Sequence, residues 1–148
     1  MQLLYAVLNP IVKGLLKSPL HPVMSGNTML ITYRGRRSGK VYELPVSYAR
    51  DGEHLRAFAA RGSKWWRNLA DGAEVELRIA GRRVGAHASV EQEDRDAIAE
   101  GLGRFLRVVP RDAGPAGVRL ASDGSPNTDD LASAAERTVA VLLTPRGT

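Results

Sequence analysis

The chain contains 148 residues, carries a formal net charge of +5 and has no cysteine. This length predicts one ordinary domain over residues 1–148, which would bury about two-thirds of the unfolded surface. Without cysteine there are no disulfides, thiolate metal sites or cysteine nucleophiles, and three scattered histidines give no ligand spacing, so we expect no metal. Aromatic residues at 5% are too sparse for a base-stacking surface, which argues against nucleic-acid binding.

The positive charge is concentrated in the middle of the chain. Residues 30–85 carry twelve Lys and Arg against six acids, whereas residues 86–148 carry seven against ten. A basic segment of this kind is either a solvated surface or a binding site for an anionic ligand.

The N-terminal residues 1–20 form an amphipathic pattern, because pairs of apolar residues recur every four positions. Asn9 and Pro10 are typical of a helix start. The segment is too short to span a membrane and lacks the features of a signal peptide, so we expect a cytoplasmic protein. Two interpretations remain: a helix that packs on the domain, or one that contacts a membrane surface or a lipophilic substrate with the help of Lys13 and Lys17.

The middle of the chain predicts β-strands joined by short turns. In the second strand, alternation turns one set of side chains towards the core, namely Tyr42, Leu44, Val46 and Tyr48. Asp51-Gly52 is a strong hairpin signal. The predicted strands are residues 29–33, 41–48, 55–60, 74–79 and 83–90.

Helices and one further strand complete the prediction. A short helix is expected from an N-cap at Ser63 to Leu69. A longer helix over 91–108 has acids in its first turns, which suits the helix dipole. A long loop over 110–128, a helix over 129–137 and a strand over 138–143 follow. The fold class is α+β: a small antiparallel split β-barrel with an N-terminal helix and helices at its openings.

Two segments carry chemical features. The turn Arg34-Gly-Arg-Arg-Ser-Gly-Lys40 combines four cations, a hydroxyl and two glycines, which suits an oligoanionic ligand or a solvated turn equally. Its glycines are too close for a P-loop. The segment Arg61-Gly-Ser-Lys-Trp-Trp-Arg-Asn-Leu69 holds both tryptophans. Either a tryptophan stacks on a flat ring, or the pair seals one end of the barrel.

Taken together, these motifs resemble the deazaflavin-dependent nitroreductase and quinone reductase family. The similar features are a G-R-[RK]-[ST]-G turn, a following strand that contains a proline, a D-G hairpin and a W-x-x-N-L element at Trp65. The resemblance covers residues 28–90 well. It implies a split β-barrel related to flavin-binding reductases and the deazaflavin F420 as cofactor, with FMN as the alternative. Barrels of this kind are often homodimers, although no sequence feature marks an interface.

The resemblance also implies a set of cofactor-binding residues. The turn residues correspond to the loop that holds the phosphate and polyglutamate tail: Arg36, Arg37, Ser38, Gly39 and Lys40. Pro45 corresponds to the proline of the next strand. The stretch beside the ring corresponds to Ala59, Ala60, Arg61 and Gly62, and the W-x-x-N element to Trp65 and Asn68.

The implied activity is hydride transfer from reduced F420 to a quinone, a nitroaromatic or a similar flat acceptor. Two departures affect it: the family often has Ser where this chain has Ala60, and no tyrosine follows Tyr48. The candidates for stabilising charge on the acceptor are therefore the amides of Ala60 to Gly62 and the Arg61 side chain. No Ser–His–Asp arrangement supports a hydrolase. The alternatives are an FMN-dependent oxidoreductase and a non-catalytic protein that binds a flavin, a deazaflavin or a lipophilic ligand.

Overall fold

The computed structural model describes residues 27–146, so the predicted N-terminal helical segment, residues 1–20, lies outside the described residues. The strands within this range are β1 Thr28–Arg34, β2 Val41–Ser47, β3 Ala49–Asp51, β4 His54–Ala60, β5 Ala73–Ile79, β6 Arg82–Glu91 and β7 Thr138–Pro145. The helices are α1 Arg95–Val108, α2 Ala113–Ala116 and α3 Thr128–Arg137, with 3-10 segments at Trp65–Leu69 and Pro110–Asp112. No helix among residues 27–146 is both long enough and apolar enough to span a bilayer.

The strands form one antiparallel sheet in the order β2-β1-β5-β6-β7-β4-β3, which curls into a half-barrel. The register of β1 and β2 pairs Ile31 with Leu44 across the predicted turn. The far end of the chain returns to the middle of the sheet, where β7 pairs with both β6 and β4. The predicted α+β split barrel is therefore confirmed.

The core lies inside the curl, as the alternation in β2 predicts. Leu44 and Tyr48 are buried, while Tyr42 and Val46 are half-buried and pack against the same cluster. In β5 the alternate residues Val75 and Leu77 are buried in the same way. Alternating burial follows from the pleat, which turns successive side chains to opposite faces.

A second cluster joins the helices to the other face of the sheet. The rings of Phe58 on β4 and Phe105 on α1 meet edge to face, with their centroids 5.1 Å apart. Asp51 adds a polar link, since its Oδ2 accepts from Arg56 Nε at 2.9 Å and from Arg104 Nη2 at 3.0 Å. The β3–β4 hairpin and α1 are thereby held together, and α1 forms a wall above the end of β4.

The predicted helix start at Ser63 is wrong. The 3-10 helix begins at Trp65 with Lys64 as N-cap, and no side chain caps it. Ser63 Oγ instead donates to the carbonyl of Ala60 at 2.8 Å, which closes the turn that leaves β4. A serine hydroxyl can satisfy either a helix start or a local turn, and sequence alone does not distinguish these uses.

The helix predicted over residues 91–108 starts later, at Arg95, because β6 continues to Glu91. The Asp94 side chain accepts from Ala97 N at 3.0 Å and caps the helix. Glu91 Oε2 accepts from the amides of Glu93 and Asp94, so the acids of this segment order a turn before the helix.

The long loop predicted over residues 110–128 is partly helical. It contains Pro110–Asp112 and α2, and it buries Ala113 and Val118 against the helical cluster. Gly117, at φ 76°, ends α2 in the left-handed conformation that glycine adopts at lowest cost. The short α2 is stabilised by this packing, because four residues have little helical stability of their own.

Candidate active site

An apolar cleft of about 570 Å³ lies between β2, the end of β4, α1 and α2. Pro45 and Val46 line it from β2, and Ala59 and Ala60 from β4. Trp65 lies at one end, and α1 contributes Leu102, Phe105 and Leu106. Pro45 suits this place because β2 is an edge strand, where a residue without N–H costs the sheet little. The cleft is large enough for a flat aromatic ligand.

A basic cleft of about 440 Å³ adjoins the apolar cleft. Four of its lining residues are cations: Arg36, Arg37, Lys64 and Arg67. Segment 60–68 lines both clefts, with Ala60, Ser63 and Trp65 facing the apolar one and Gly62, Lys64, Arg67 and Asn68 facing the basic one. A ligand with an apolar ring and an anionic tail could therefore occupy both at once.

The basic turn is a closed, internally bonded loop. Gly35 N donates to Lys40 O at 2.7 Å, and Gly39 N donates to Gly35 O at 2.9 Å. Ser38 Oγ accepts from Lys40 N at 3.1 Å, which leaves Ser38 and the two arginines at the cleft. Gly39 has φ 70°, a left-handed conformation in which a side chain would be strained. Gly39 and Lys40 shape the turn but do not line the cleft.

Asn68 connects this turn to the 3-10 helix. Its Oδ1 accepts from Arg36 N at 3.0 Å, and its Nδ2 donates to Trp65 O at 3.1 Å. One side chain thus positions the cation-bearing loop against the segment that carries Trp65. The W-x-x-N spacing places the asparagine one turn after the tryptophan, within reach of the Trp65 carbonyl.

The two tryptophans have different surroundings. Trp65 lines the apolar cleft, and its ring is 6.4 Å from that of Tyr33, centroid to centroid. Trp66 is buried, and its Nε1 donates to the carbonyls of Ala60 and Arg61, both at 3.2 Å. Tyr33 stacks on Tyr42 at 5.5 Å, and burial, with a smaller contribution from Tyr42, raises the pKa of Tyr33 to about 12. Tyr33 is therefore a neutral packing residue behind Trp65.

Arg61 does not join the other predicted site residues. Its amide donates to Arg137 O at 2.7 Å, and its guanidinium donates to Glu136 O at 3.3 Å and Thr138 O at 3.1 Å. The reason is strand pairing: β4 and β7 end with Ala60 opposite Thr138, and the next amide continues the ladder. Arg61 lines neither cleft, whereas Ala60 and Gly62 do.

The sequence analysis missed the wall formed by α2 and the end of α3. Asp112, Pro115, Ala116 and Arg137 all line the apolar cleft, and Arg137 is the only cation among its described lining residues. No local pattern marks this arginine. Only the pairing of β7 with β4, which is a contact across 78 positions of sequence, brings it beside Ala60.

Several solved structures share this split-barrel fold. The FAD and heme binding protein of Mycobacterium smegmatis is 20% identical with a TM-score of 0.50, over 80% of this chain and 60% of that one. A putative pyridoxamine 5'-phosphate oxidase of Listeria innocua is 12% identical with a TM-score of 0.53, over 82% and 85%. Protein Atu2129 of Agrobacterium tumefaciens, of unknown function, is 13% identical with a TM-score of 0.57, over 89% and 57%. The chain thus spans about three-fifths of the Mycobacterium and Agrobacterium proteins.

The family is also shown by the sequence. Residues 17–111 match the model of the F420H(2)-dependent quinone reductase family, and the chain belongs to that family. The family depends on reduced F420, the cofactor that we expect from the sequence, and FMN is also compatible with the fold. The match includes the basic turn and the W-x-x-N element and ends before α2 and Arg137. A search of curated proteins finds no match.

Proposed function

We propose that the protein transfers a hydride from reduced F420 to a quinone, a nitroaromatic or a similar flat, electron-poor acceptor. The observation that carries this proposal is the pair of adjoining clefts, one apolar and one basic, divided by segment 60–68. F420 combines a flat ring with an anionic tail, so the two clefts match the two halves of one ligand. Family membership supports the same donor.

The basic cleft would hold the phosphate and the anionic tail. Arg36 and Arg37 carry paired donors that suit phosphate and carboxylate groups, and Ser38 lines the same cleft. Lys64, the N-cap residue of the 3-10 helix, and Arg67 within that helix line the same cleft. Gly39 permits the turn, and Lys40 would act through its charge at the outer side of the loop.

The apolar cleft would hold the ring and the acceptor. Pro45, Ala59 and Ala60 present small or flat surfaces to the cleft, and Trp65 adds an aromatic ring to its lining. Bound F420 supplies the hydride. The residues of the chain orient the two rings and exclude water from between them.

Two other functions remain to be tested against this one. FMN carries a phosphate that would suit the same basic turn, so an FMN-dependent oxidoreductase is the first alternative. A non-catalytic flavin, deazaflavin or lipophile carrier is the second, and the observation that favours it is Ala60, which gives the cleft no hydroxyl where the family often has one.

We further propose a single domain, a homodimer and a cytoplasmic location, with peripheral membrane contact through residues 1–20 as an added option. Sedimentation of the full chain tests the dimer. Flotation with vesicles of anionic phospholipid, compared with a variant that lacks residues 1–20, tests the membrane contact. Monomeric protein, or equal flotation of both chains, would contradict the respective proposal.

The experiment for the function has two parts. The purified protein is first titrated with F420, FMN and a nicotinamide cofactor, and binding is followed by tryptophan fluorescence. Oxidation of reduced F420 is then followed by absorbance with and without menadione or a nitroaromatic compound. We expect F420 to bind best and the acceptor to accelerate its oxidation. Tight binding without acceptor-dependent oxidation would favour the carrier, and no binding of F420 would contradict the proposal.

A further inference from the structure

Arg137 brings the only positive charge to the apolar cleft among the residues that the structure describes there. It ends α3, directly before Thr138, which pairs with Ala60 at the end of β4. The only acid lining that cleft within residues 27–146 is Asp112, and its neighbour Arg111 lies 3.8 Å from it, Nε to Oδ1. Arg137 therefore borders the apolar cleft as an exposed cation, and no carboxylate within residues 27–146 is bonded to its guanidinium.

The guanidinium of Arg137 is held in place but not saturated. Its Nη1 donates to Ser133 O and Ser133 Oγ, both at 3.1 Å, and its Nη2 donates to Ala116 O at 3.3 Å. A guanidinium has five N–H groups, so Nε–H and one Nη2 hydrogen have no partner within residues 27–146. Free guanidinium N–H groups of this kind donate to carboxylate, sulfonate or carbonyl oxygens.

We propose that Arg137 recognises the oxygen of the hydride acceptor and offsets the negative charge that forms on it; this inference rests on the proposed function. When a quinone is reduced, a hydride adds two electrons and one proton, the reduced deazaflavin is oxidised, and the quinone oxygen becomes anionic. A second proton from water completes the hydroquinone. A fixed cation beside that oxygen stabilises the anionic form more than the neutral quinone and so lowers the barrier.

Arg137 takes this role in place of Arg61, because Arg137 lines the apolar cleft whereas Arg61 lines neither cleft and donates to the carbonyls of Glu136 and Thr138. This role of Arg137 also predicts the class of substrate. The acceptor should carry an oxygen at the edge of a flat apolar ring, and an anionic substituent beside that oxygen should increase affinity. An apolar ring without such an oxygen would bury two N–H groups of the guanidinium unpaired, which is unfavourable.

The test uses two acceptors of similar ring size, neutral menadione and anionic 1,4-naphthoquinone-2-sulfonate. Arg137→Met removes the charge at similar length, Arg137→Lys keeps the charge but loses the paired donors, and Arg82→Met on the exposed part of β6 is the control. Binding of each acceptor to the protein without cofactor is measured by quenching of tryptophan fluorescence. The kcat and KM for oxidation of reduced F420 are measured separately.

In Arg137→Met we expect the sulfonate to lose about tenfold or more in affinity, while menadione changes much less. The kcat with menadione should fall about tenfold to hundredfold. Arg137→Lys should recover part of both, and Arg82→Met should resemble the parent protein.

Three results would overturn the inference: unchanged sulfonate affinity, equal losses for both acceptors, or an unchanged kcat in an active protein. Equal losses would mean that Arg137 only holds the wall formed by α2. If the parent protein binds F420 but does not catalyse oxidation of reduced F420 by an acceptor, the proposed function fails. The affinities for menadione and for the sulfonate then still decide whether Arg137 recognises the acceptor oxygen. If Arg137→Met does not fold, the test uses Arg137→Lys, in which the affinity for the sulfonate should fall more than the affinity for menadione.

Discussion

Replacing Asn68 with Asp tests whether the basic turn and the 3-10 helix form one binding unit. The substitution keeps the shape and the acceptor for Arg36 N, which is 3.0 Å from Oδ1. It removes the Nδ2 donor, which bonds Trp65 O at 3.1 Å and Lys64 O at 3.5 Å, and the loss of each such bond costs roughly 0.5–1.5 kcal/mol. It also places a carboxylate among four cations that should hold an anionic tail.

Two quantities are then measured for Asn68→Asp. The free energy of unfolding in urea should fall by no more than about 3 kcal/mol, because the two hydrogen bonds from Nδ2 are lost, one of them long. The affinity for F420, from fluorescence titration, should fall at least about tenfold, because the new charge repels the tail and neutralises a neighbouring arginine.

Asn127→Asp is the matched control for this variant. Asn127 caps α3 by accepting from Asp130 N at 2.9 Å, and aspartate caps a helix equally well. We expect this variant to keep both stability and affinity. Full F420 affinity in Asn68→Asp would refute the placement of the anionic tail in the basic cleft. A loss of stability much above that of two hydrogen bonds would show that Asn68 has a wider structural role than its three hydrogen bonds indicate.

Three further changes test separate parts of the structure. Arg36→Ala combined with Arg37→Ala should weaken F420 binding by roughly 1–3 kcal/mol at low salt and by less at high salt, measured by titration at two ionic strengths. Trp65→Phe should abolish most of the quenching by F420 while Trp66→Phe keeps it, because only Trp65 lines the apolar cleft; the reverse result would exchange their roles. Hydrogen bonds from Arg104 and then from Arg56 lower the pKa of Asp51. The contribution of the ionised Asp51 carboxylate to stability is therefore present above about pH 4 and is lost as the pH falls further. Urea unfolding at pH 7 and pH 3 should therefore show a smaller acid loss for Asp51→Asn than for the parent chain.

Much of the fold was readable in the sequence because its signals are local. The alternation in β2, the Asp51-Gly52 hairpin and the two glycines of the basic turn each depend on neighbouring residues, and the structure agrees with all three. Predictions at the element ends were weaker. Ser63 and the acids before α1 can satisfy backbone groups in several ways, and the choice depends on where β4 and β6 end.

The fold class, the family and the basic turn with its following W-x-x-N element can all be read from the sequence. The side chains that reach the apolar cleft are set by contacts between distant segments. Arg61 lies in the predicted segment yet lines neither cleft, while Arg137, directly before β7, lies opposite it at the same end of the β4–β7 pairing and lines the apolar cleft. Strand pairing across 78 positions places these two side chains, and no local pattern encodes such a contact.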